Sequence, residues 1–331
     1  MPQIFLANGK AFAANDGETL LDAGLRSDVS LPYSCRTGRC STCRCRVTTG
    51  ATRALHDETG LTAAERSEGW VLACVRTALS DVAVEIEDLG DIQLFPARTL
   101  ACRIQSIDRL ASDVVRVMLR LPPSVEFRYW PGQYIDVIGP GGIRRSYSIA
   151  NAPAEDRHIE LHIREVEGGA MSAYWFGSAR INDLLRLNGP LGTFFARGIA
   201  DMDVVFLATG TGIAPVKAIL EGLATMPPEA LPRNVTVYWG GRVPTDLYWT
   251  PAVAGVALRF VAVLSRADAA WAGVRGHVQD ALLADAPDLS RTALYACGSD
   301  AMIHAARTRL CAAGLPEHQF SSDAFVQSGV V

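Results

Sequence analysis

The sequence lacks the features that would indicate an exported, membrane-bound or nucleic-acid-binding protein. It has no basic N-terminal segment followed by a long apolar run, and no stretch reaches about 18 uninterrupted apolar residues. Positive charge is not in excess either, because 31 Lys and Arg stand against 35 Asp and Glu, which gives a net charge of −4. We therefore expect a cytoplasmic chain that binds neither a membrane nor nucleic acid.

Hydrolase arrangements are also missing, since the chain shows neither a Ser/His/Asp arrangement nor a zinc-hydrolase spacing. There is no long internal repeat and no low-complexity tract. What is present is the composition of a globular chain, with 49% hydrophobic and 20% charged residues among 331. This length predicts two or three domains rather than one core.

The cysteines are few for a disulfide scaffold, but they are unevenly spaced. Four residues separate Cys35 from Cys40, two separate Cys40 from Cys43, and Cys74 follows after thirty more. This is the plant-type spacing of a 2Fe–2S cluster. A structural zinc site, which is the alternative, usually shows paired short spacings. The sequence therefore predicts these four cysteines as the cluster ligands.

The residues next to these cysteines are interpreted in two ways, one structural and one functional. Cys45 is interpreted as a small buried residue and not as a ligand. Four cations surround the loop, at Arg36, Arg39, Arg44 and Arg46. Our hypothesis is that they raise the cluster potential or dock an acidic partner surface, and the alternative is a merely solvated rim.

Residue patterns divide the chain into three domains and a linker. Residues 1–90 mix short strands with helices predicted at 18–25 and after Thr62, which is typical of a small α+β domain. Residues 91–98 form a linker, and the alternating strands of residues 99–198 predict a small antiparallel barrel. In residues 199–331, apolar strands alternate with helices, which predicts an open parallel α/β sheet.

Three motifs in the second and third domains point to one family. They are Arg145-Ser146-Tyr147-Ser148, the glycine turn at 168–172, and Thr-Gly-Thr-Gly-Ile-Ala-Pro at 209–215 after an apolar strand. On these residues the chain resembles the ferredoxin–NADP reductase superfamily, with an N-terminal plant-type 2Fe–2S ferredoxin domain of β-grasp fold. The implied cofactors are a 2Fe–2S cluster, FAD and NADH.

The resemblance assigns flavin-binding roles to the barrel. Arg145 would pair with a flavin phosphate, Tyr147 would pack on the isoalloxazine ring, and Ser148 would hydrogen-bond near N5 as a catalytic residue. A helix predicted at 172–176 would bind the pyrophosphate through Gly169, Met171 and Ser172, and this second phosphate site favours FAD over FMN. Gly189-Pro190-Leu191-Gly192 also matches the family. The alternatives are an ordinary strand and a glycine turn capped by Ser172.

The third domain would hold the nicotinamide dinucleotide. The pyrophosphate would lie at the start of a helix predicted at 216–224. The residues assigned to dinucleotide binding are Gly210, Thr211, Gly212, Pro215, Arg242, Cys297 and Gly298.

Two of the family's catalytic positions are also matched. The family presents a cysteine to the nicotinamide ring, here Cys297, and covers the flavin with a terminal aromatic residue, here Phe325. Ordinary packing is the alternative for each. An Arg at 242 suits a 2′-phosphate, yet the run Tyr238-Trp239-Gly240-Gly241-Arg242 resembles members that use NADH.

The implied function is an NADH-dependent reductase that passes electrons through FAD and the cluster to an acceptor protein. The closer resemblance, carried by residues 142–151 and 189–195, implies a sugar dehydratase of 3,6-dideoxysugar formation as that acceptor. An aromatic-ring oxygenase component is the alternative acceptor. A nonenzymatic iron–sulfur carrier or redox sensor is the alternative from another class.

Overall fold

The computed structural model describes residues 1–252 and 257–325. It separates into two compact units, one of residues 1–94 together with Asp323, Ala324 and Phe325, and one of residues 95–322. Within the described residues, no helix combines the length and the hydropathy needed to span a bilayer.

The first unit has seven described strands and two short helices, and five of the strands form one mixed sheet. Its strands are β1 Gln3–Leu6, β2 Ala11–Ala13, β3 Arg44–Thr49, β4 Thr52–Ala54, β5 Trp70–Leu72, β6 Arg76–Ala78 and β7 Val82–Glu85, and its helices are α1 Leu20–Arg26 and α2 Ala63–Ser67. The sheet order is β2-β1-β7-β3-β5, with β4 and β6 paired separately. Only β1 and β7 run parallel among the pairs described.

Local sequence explains both helices of this unit. The Thr19 hydroxyl accepts from the Asp22 amide at 3.0 Å, so α1 begins at Leu20, two residues later than the sequence predicted. Leu20 and Leu21 are fully buried in the core beneath the sheet. The predicted capping box at Thr62 and Glu65 is present and starts α2.

The first half of the second unit is an antiparallel six-stranded barrel, as predicted. Its strands are β8 Arg98–Ala111, β9 Val114–Arg120, β10 Tyr134–Ile138, β11 Arg144–Ser148, β12 His158–Arg164 and β13 Leu184–Leu191. They are ordered β11-β10-β13-β8-β9-β12, and a bridge between Ile149 and Leu161 joins the two edges. Ile159, Leu161 and Ile163 point into the barrel core.

The second half is a parallel sheet with helices. Its strands are β14 Asp203–Thr209, β15 Asn234–Gly241, β16 Leu258–Leu264, β17 Val274–Arg275, β18 Thr292–Ser299 and β19 Phe320–Phe325, of which residues 323–325 are counted with the first unit. The helices of the second unit are α3 Ala170–Ala173, α4 Ile213–Leu223, α5 Val278–Ala284 and α6 Asp300–Ala312. The order is β17-β16-β15-β14-β18-β19, with β14 central and parallel to both neighbours. The carboxyl ends of β14 and β18 therefore lie side by side, where open α/β sheets bind ligands.

Two predicted helices have different limits in the structure. The helix predicted at 172–176 is α3, which begins at Ala170 after Gly169, and it continues as a π-helical turn over Tyr174–Ser178. The helix predicted at 216–224 is α4, which begins at Ile213 because Pro215 is compatible with a first helical turn.

Candidate functional site

The four predicted cluster ligands meet in the first unit as two couples. Cys35 and Cys40 are hydrogen-bonded to each other, and Cys43 is hydrogen-bonded to Cys74. No group of three or more His, Cys, Asp or Glu in residues 1–252 and 257–325 could hold a metal ion by itself. Two couples of thiols fit a cluster of two irons, which takes four cysteine ligands in all.

Each couple contains one thiol whose pKa is lowered by its partner. The hydrogen bond from Cys40 lowers the pKa of Cys35 to about 5, and the hydrogen bond from Cys43 lowers the pKa of Cys74. The same bonds, together with burial, raise the pKa of Cys40 and Cys43. Thiolates are the form that binds iron, and a lowered pKa favours that form at Cys35 and at Cys74.

The backbone of residues 35–43, which we call the cluster loop, turns its amides toward these sulfurs. The Thr37 amide donates to Cys35 Sγ and the Cys35 amide to Cys40 Sγ, both at 3.4 Å. Gly38 has φ +75°, and a Cβ there would lie 2.4 Å from the Asp57 carbonyl oxygen. A side chain at 38 would therefore prevent the turn.

Cys45 lies outside this arrangement. It is on β3, packed in the hydrophobic core of the unit, and burial raises the pKa of its thiol to about 12. The expectation that Cys45 is a core residue agrees with this position.

A buried ion pair supports the segment that carries Cys74, and the sequence analysis missed it. Glu58 accepts from the Leu72 amide at 2.7 Å and from Arg76 Nη2 at 2.6 Å. Leu72 and Arg76 lie on either side of Cys74, at the end of β5 and the start of β6. Glu58 therefore holds the chain on both sides of the fourth ligand, Cys74. In the sequence, the only indication of this role was a single acidic residue between two turns.

The four arginines do not form one ring of exposed charge. Arg36 pairs with Asp22, and Arg39 is exposed. Arg44 pairs with Glu65 and lies 4.3 Å from the Trp70 ring centroid, so it packs on β5 instead. Arg46 donates to the backbone carbonyl of Glu68.

The predicted flavin residues lie on β11, a strand at the edge of the barrel sheet. Tyr147 pairs in register with Ile135, and Arg145 pairs with Val137. The Tyr147 hydroxyl accepts from Trp175 Nε1 at 3.0 Å, and burial raises the pKa of Tyr147 to about 12. This bond and the edge-on contact with the Trp175 ring fix the orientation of the Tyr147 ring. That an aromatic cofactor stacks on it stays a prediction.

The glycine turn at 168–172 packs beside the same hairpin. Met171 is buried, and a Cβ at Gly139, just after β10, would lie 2.6 Å from the Met171 sulfur. Ser172 is inside α3 and accepts from the Val166 amide, so it is not the helix cap. The structure thus brings Gly169, Met171 and the strand of Arg145 into one neighbourhood.

Residues 209–215, which we call the nucleotide turn, follow β14 and touch the end of β18. A Cβ at Gly298, where φ is +135°, would lie 2.2 Å from Thr209 Oγ1. A Cβ at Gly212 would lie 2.3 Å from the Cys297 carbonyl oxygen. The two backbone segments lie too close together for a side chain between them. The predicted residues Gly212, Cys297 and Gly298 are therefore neighbours. The Cys297 side chain is fully buried.

Arg164 at the end of β12 is a further candidate that the sequence analysis missed. A Cβ at Gly210 would lie 2.8 Å from Arg164 Nη1. Arg164 Nη2 is buried, and it has no hydrogen-bond partner within the described ranges. Its Nε lies 3.2 Å from Asp113 Oδ2 and its Nη2 lies 4.0 Å from Asp246 Oδ1. A dinucleotide phosphate at this glycine turn would therefore share the guanidinium with these two carboxylates.

Arg242, assigned to the dinucleotide, is held by acidic neighbours. Its amide and its Nε donate to Asp246, at 2.7 and 3.1 Å, and Asp113 lies 3.7 Å from Nη2. Burial raises the pKa of Asp246, but the bonds from Arg242 outweigh it and hold that pKa below its usual value. Carboxylates already occupy the guanidinium that would bind a 2′-phosphate.

The terminal aromatic residue is described at the end of β19. Phe325 is 37% exposed, and Asp323 is buried and accepts from Ser34 Oγ at 2.5 Å. Ser34 directly precedes Cys35, and Ser34, Cys35 and Asp323 all belong to the first compact unit. That Phe325 covers a flavin stays a prediction.

Three family models match the chain in consecutive segments. A 2Fe-2S iron-sulfur cluster binding domain matches residues 5–79, an oxidoreductase FAD-binding domain matches residues 101–195, and an oxidoreductase NAD-binding domain matches residues 206–308. These matches confirm the three cofactors expected from the sequence: a 2Fe–2S cluster, FAD and NAD.

Relatives of known activity align over almost the whole length. A CDP-6-deoxy-L-threo-D-glycero-4-hexulose-3-dehydrase reductase of Yersinia pestis is 39% identical, with 97% of both chains covered. A reductase component of naphthalene 1,2-dioxygenase/salicylate 5-hydroxylase systems from Ralstonia is 34% identical, with 96% of both covered. The crystal structure of an Amycolatopsis cytochrome P450 reductase superposes with a TM-score of 0.75 at 31% identity, covering 98% of this chain and 99% of that one.

Proposed function

Because this chain belongs to the reductases of ferredoxin–NADP reductase type that carry an N-terminal 2Fe–2S domain, we propose that it takes electrons from NADH and delivers them to a partner enzyme. One observation supports this most directly: the two cysteine couples, the flavin strand and the nucleotide turn occur in a single chain. When bound, FAD accepts the electron pair of NADH and releases single electrons, which a 2Fe–2S cluster carries.

The residues of the chain bind and orient these groups. In our assignment, Arg145 binds a flavin phosphate, Tyr147 stacks against the ring system, and Ser148 hydrogen-bonds near flavin N5. Gly169, Met171 and Ser172 hold the flavin pyrophosphate.

On the nicotinamide side, the nucleotide turn presents backbone amides to the dinucleotide pyrophosphate. Cys297 and Gly298 at the end of β18 would hold the nicotinamide ring, and Phe325 would shield the flavin while no nicotinamide is bound. The pairing of Arg242 with Asp246 supports NADH over NADPH, because a second anion would have to displace a carboxylate.

For the acceptor, we propose CDP-6-deoxy-4-hexulose-3-dehydrase in 3,6-dideoxysugar formation. The full-length similarity to the Yersinia reductase supports this choice. An oxygenase component is the second candidate, favoured by the similarity to the Ralstonia reductase.

The domain limits that accompany this proposal are residues 1–90 for the cluster, 91–98 for the linker, 99–198 for FAD and 199–331 for NADH. The family-model matches fall inside these limits. We place the protein in the cytoplasm, where thiols stay reduced and available to iron.

Anaerobic mixing with NADH tests the core of the proposal. The flavin absorbance should bleach, and the visible absorbance of the cluster should decrease afterwards. A nonenzymatic carrier or redox sensor would show no bleaching, and that result would contradict the proposed function.

A second experiment identifies the acceptor. NADH consumption is measured after adding either purified CDP-6-deoxy-4-hexulose-3-dehydrase with its substrate or a terminal aromatic-ring oxygenase with its substrate. We expect stimulation by the dehydrase. Stimulation by the oxygenase alone would assign the chain to the second candidate.

A further inference from the structure

The outward face of β12 is polar in sequence but buried in the structure. Glu160 and His162 alternate with the barrel-core residues, which predicts a solvated face, yet both are under 10% exposed. His162 Nε2 lies 2.8 Å from Glu160 Oε1. A buried carboxylate requires further partners, and this one has them on the nucleotide-binding half of the same compact unit.

One set of contacts runs from Glu160 to the middle of α4. Lys217 Nζ donates to Glu160 Oε2 at 3.0 Å and to the Ala150 carbonyl oxygen at 3.0 Å. It also donates to Glu221 Oε1 at 2.7 Å, and Glu221 Oε2 accepts from the Ala152 amide at 2.9 Å. Ala150 and Ala152 directly follow the flavin strand β11. The helix is therefore bound both to β12 and to the exit of β11.

A second set runs from Glu160 to the turn that precedes α4. His162 Nδ1 lies 3.2 Å from the Tyr248 hydroxyl, and the Tyr248 ring meets the Trp239 ring edge-on at 5.1 Å. Trp239 Nε1 donates to the Gly210 carbonyl oxygen at 3.0 Å. The two oxygens of one carboxylate are thus connected to the helix and to the nucleotide turn.

These contacts also border a cavity, into which the remaining polar side chains could move if one of the contacts were removed. A cavity of about 210 Å³ is lined by Glu160, His162, Lys217 and Tyr248, with Leu110, Arg116 and Trp249. Loss of one charge would leave the opposite charge buried without its partner, and the helix could then shift toward this space.

We propose that Glu160 and Lys217 are positioning residues that fix the nucleotide turn and α4 relative to the flavin strand. They would contact neither cofactor and would act by holding the nicotinamide at the reacting distance from the flavin. Displacements of about 1 Å at such sites change rates about 100-fold. The inference rests on the proposed function, since it concerns the approach of NADH to FAD.

The test uses the complete holoenzyme and compares Lys217→Met with Lys10→Met. Lys10 is the only other lysine in the chain, and its pair with Asp88 lies in the other compact unit. Rapid anaerobic mixing gives the maximal rate of flavin bleaching and the Kd of NADH separately. Hydrogen–deuterium exchange of peptides covering 209–217 and 148–152 reports the position of helix and turn without turnover.

For Lys217→Met we expect the maximal bleaching rate to fall at least tenfold, the Kd of NADH to change less than threefold, and exchange to increase in both peptides. Lys10→Met should match the wild type. Glu160→Gln should resemble Lys217→Met, and the double variant should be no slower than the worse single one, because both remove one unit.

An unchanged bleaching rate in Lys217→Met, with only a lower melting temperature, would overturn the inference and leave a merely structural ion pair. If Lys217→Met does not fold, Tyr248→Phe removes one hydroxyl only, and it should slow bleaching two- to threefold. An unchanged rate in Tyr248→Phe would then count against the proposal. Absence of bleaching in the wild type would instead refute the proposed function.

Discussion

The cluster loop and the nucleotide turn are the two segments assigned to cofactors in this proposal, and they are assembled in different ways. The cluster loop places three ligands within nine residues, and its glycine requirement is met by Gly38 inside the loop itself. The nucleotide turn depends on Gly298 and on Trp239, which lie on other strands of the sheet. A local site is specified by spacing, whereas a nonlocal site is specified by which strands become neighbours.

The largest effect that would separate the two regions is loss of the fourth ligand. In Cys74→Ser, iron content and the visible absorbance of the cluster should be lost, because one of four thiolates is removed. Flavin bleaching by NADH should persist, since the nucleotide turn contains no part of the first unit.

Cys45→Ala is the control for that substitution. It removes a thiol two residues after a ligand but inside the core, so iron should stay bound and the free energy of unfolding should fall by about 1–2 kcal/mol. Loss of iron in Cys45→Ala would mean that the spacing identifies the wrong set of ligands.

The converse change is Gly298→Ala, which should damage the nucleotide turn alone. The new Cβ clashes with Thr209 and the φ of +135° is strained, so we expect the Kd of NADH to rise about 10–100-fold, as a strain of about 1–3 kcal/mol implies. Titration of NADH against flavin fluorescence measures it, and iron content should not change.

Gly314→Ala is the matched control, because Gly314 also has a positive φ, +106°, but its Cβ would meet nothing within 4 Å. It should cost stability without changing the Kd of NADH. Equal rises of Kd in the two variants would show that strain anywhere in the fold is sufficient, and that the contact between Gly298 and Thr209 has no special part.

A moderate effect of pH on stability is expected in the second unit, where His162 lies on the barrel strand β12. Burial lowers the pKa of His162 below 6.5, although Glu160 opposes this shift and Lys217 and Arg116 add to it. Below about pH 6.5 the unfolded chain binds a proton that the folded chain does not, so stability falls as the pH decreases from 7.5 toward the folded pKa.

Urea unfolding between pH 5.5 and 7.5 measures this slope, which for one proton cannot exceed about 1.4 kcal/mol per pH unit. In His162→Gln the slope should be smaller, while the chain's other histidines serve as an internal control. Burial raises the pKa of Glu160, but His162 and Lys217 outweigh it and lower that pKa too, and the resulting loss of stability comes at more acidic pH, below the usual value of 4.5. Identical slopes would show that His162 takes up its proton over the same pH range in the folded and the unfolded chain, so that its pKa is not lowered by folding.

The smallest effect, on the KM for the acceptor protein, is expected for the exposed arginines of the cluster loop, Arg36 and Arg39. Replacing both Arg36 and Arg39 by Gln should raise the KM for the acceptor protein about threefold at low ionic strength, because exposed charges contribute little each. The difference should disappear in concentrated salt. Arg46→Gln, on β3, is the control and should leave the KM unchanged. A salt-independent KM in the wild type would exclude charge as the basis of docking.

The sequence predicted those features that depend on residues close together in the chain. The cysteine spacing, the capping box at Thr62 and the glycine pattern of the nucleotide turn are local, and the structure places each where the pattern indicated. The start of α1 was misplaced by two residues because Thr19 is a stronger cap than the residues before it.

The residues that were missed depend on contacts between distant segments. Glu160 and His162 alternate with core residues along β12, and it is the packing of α4 against β12 that buries them and supplies Lys217 as a partner. One signal was available, since Lys217 and Glu221 form a charged pair four residues apart on a helix that is otherwise mostly apolar. Arg164 gave no signal, because its position beside Gly210 exists only in the folded unit.

The hydrogen bond from the Ser299 amide to Thr209 Oγ1 has a consequence for synthesis, because it joins residues 90 apart in the chain. All four cysteines have been synthesised once residue 74 is made. Ser299, which completes the contact with Thr209, is synthesised only about 225 residues later. At about 5–20 residues per second, that interval is on the order of 10–45 s. In the proposed assignment, the four iron ligands are thus synthesised well before Ser299, on which the turn assigned to the dinucleotide depends.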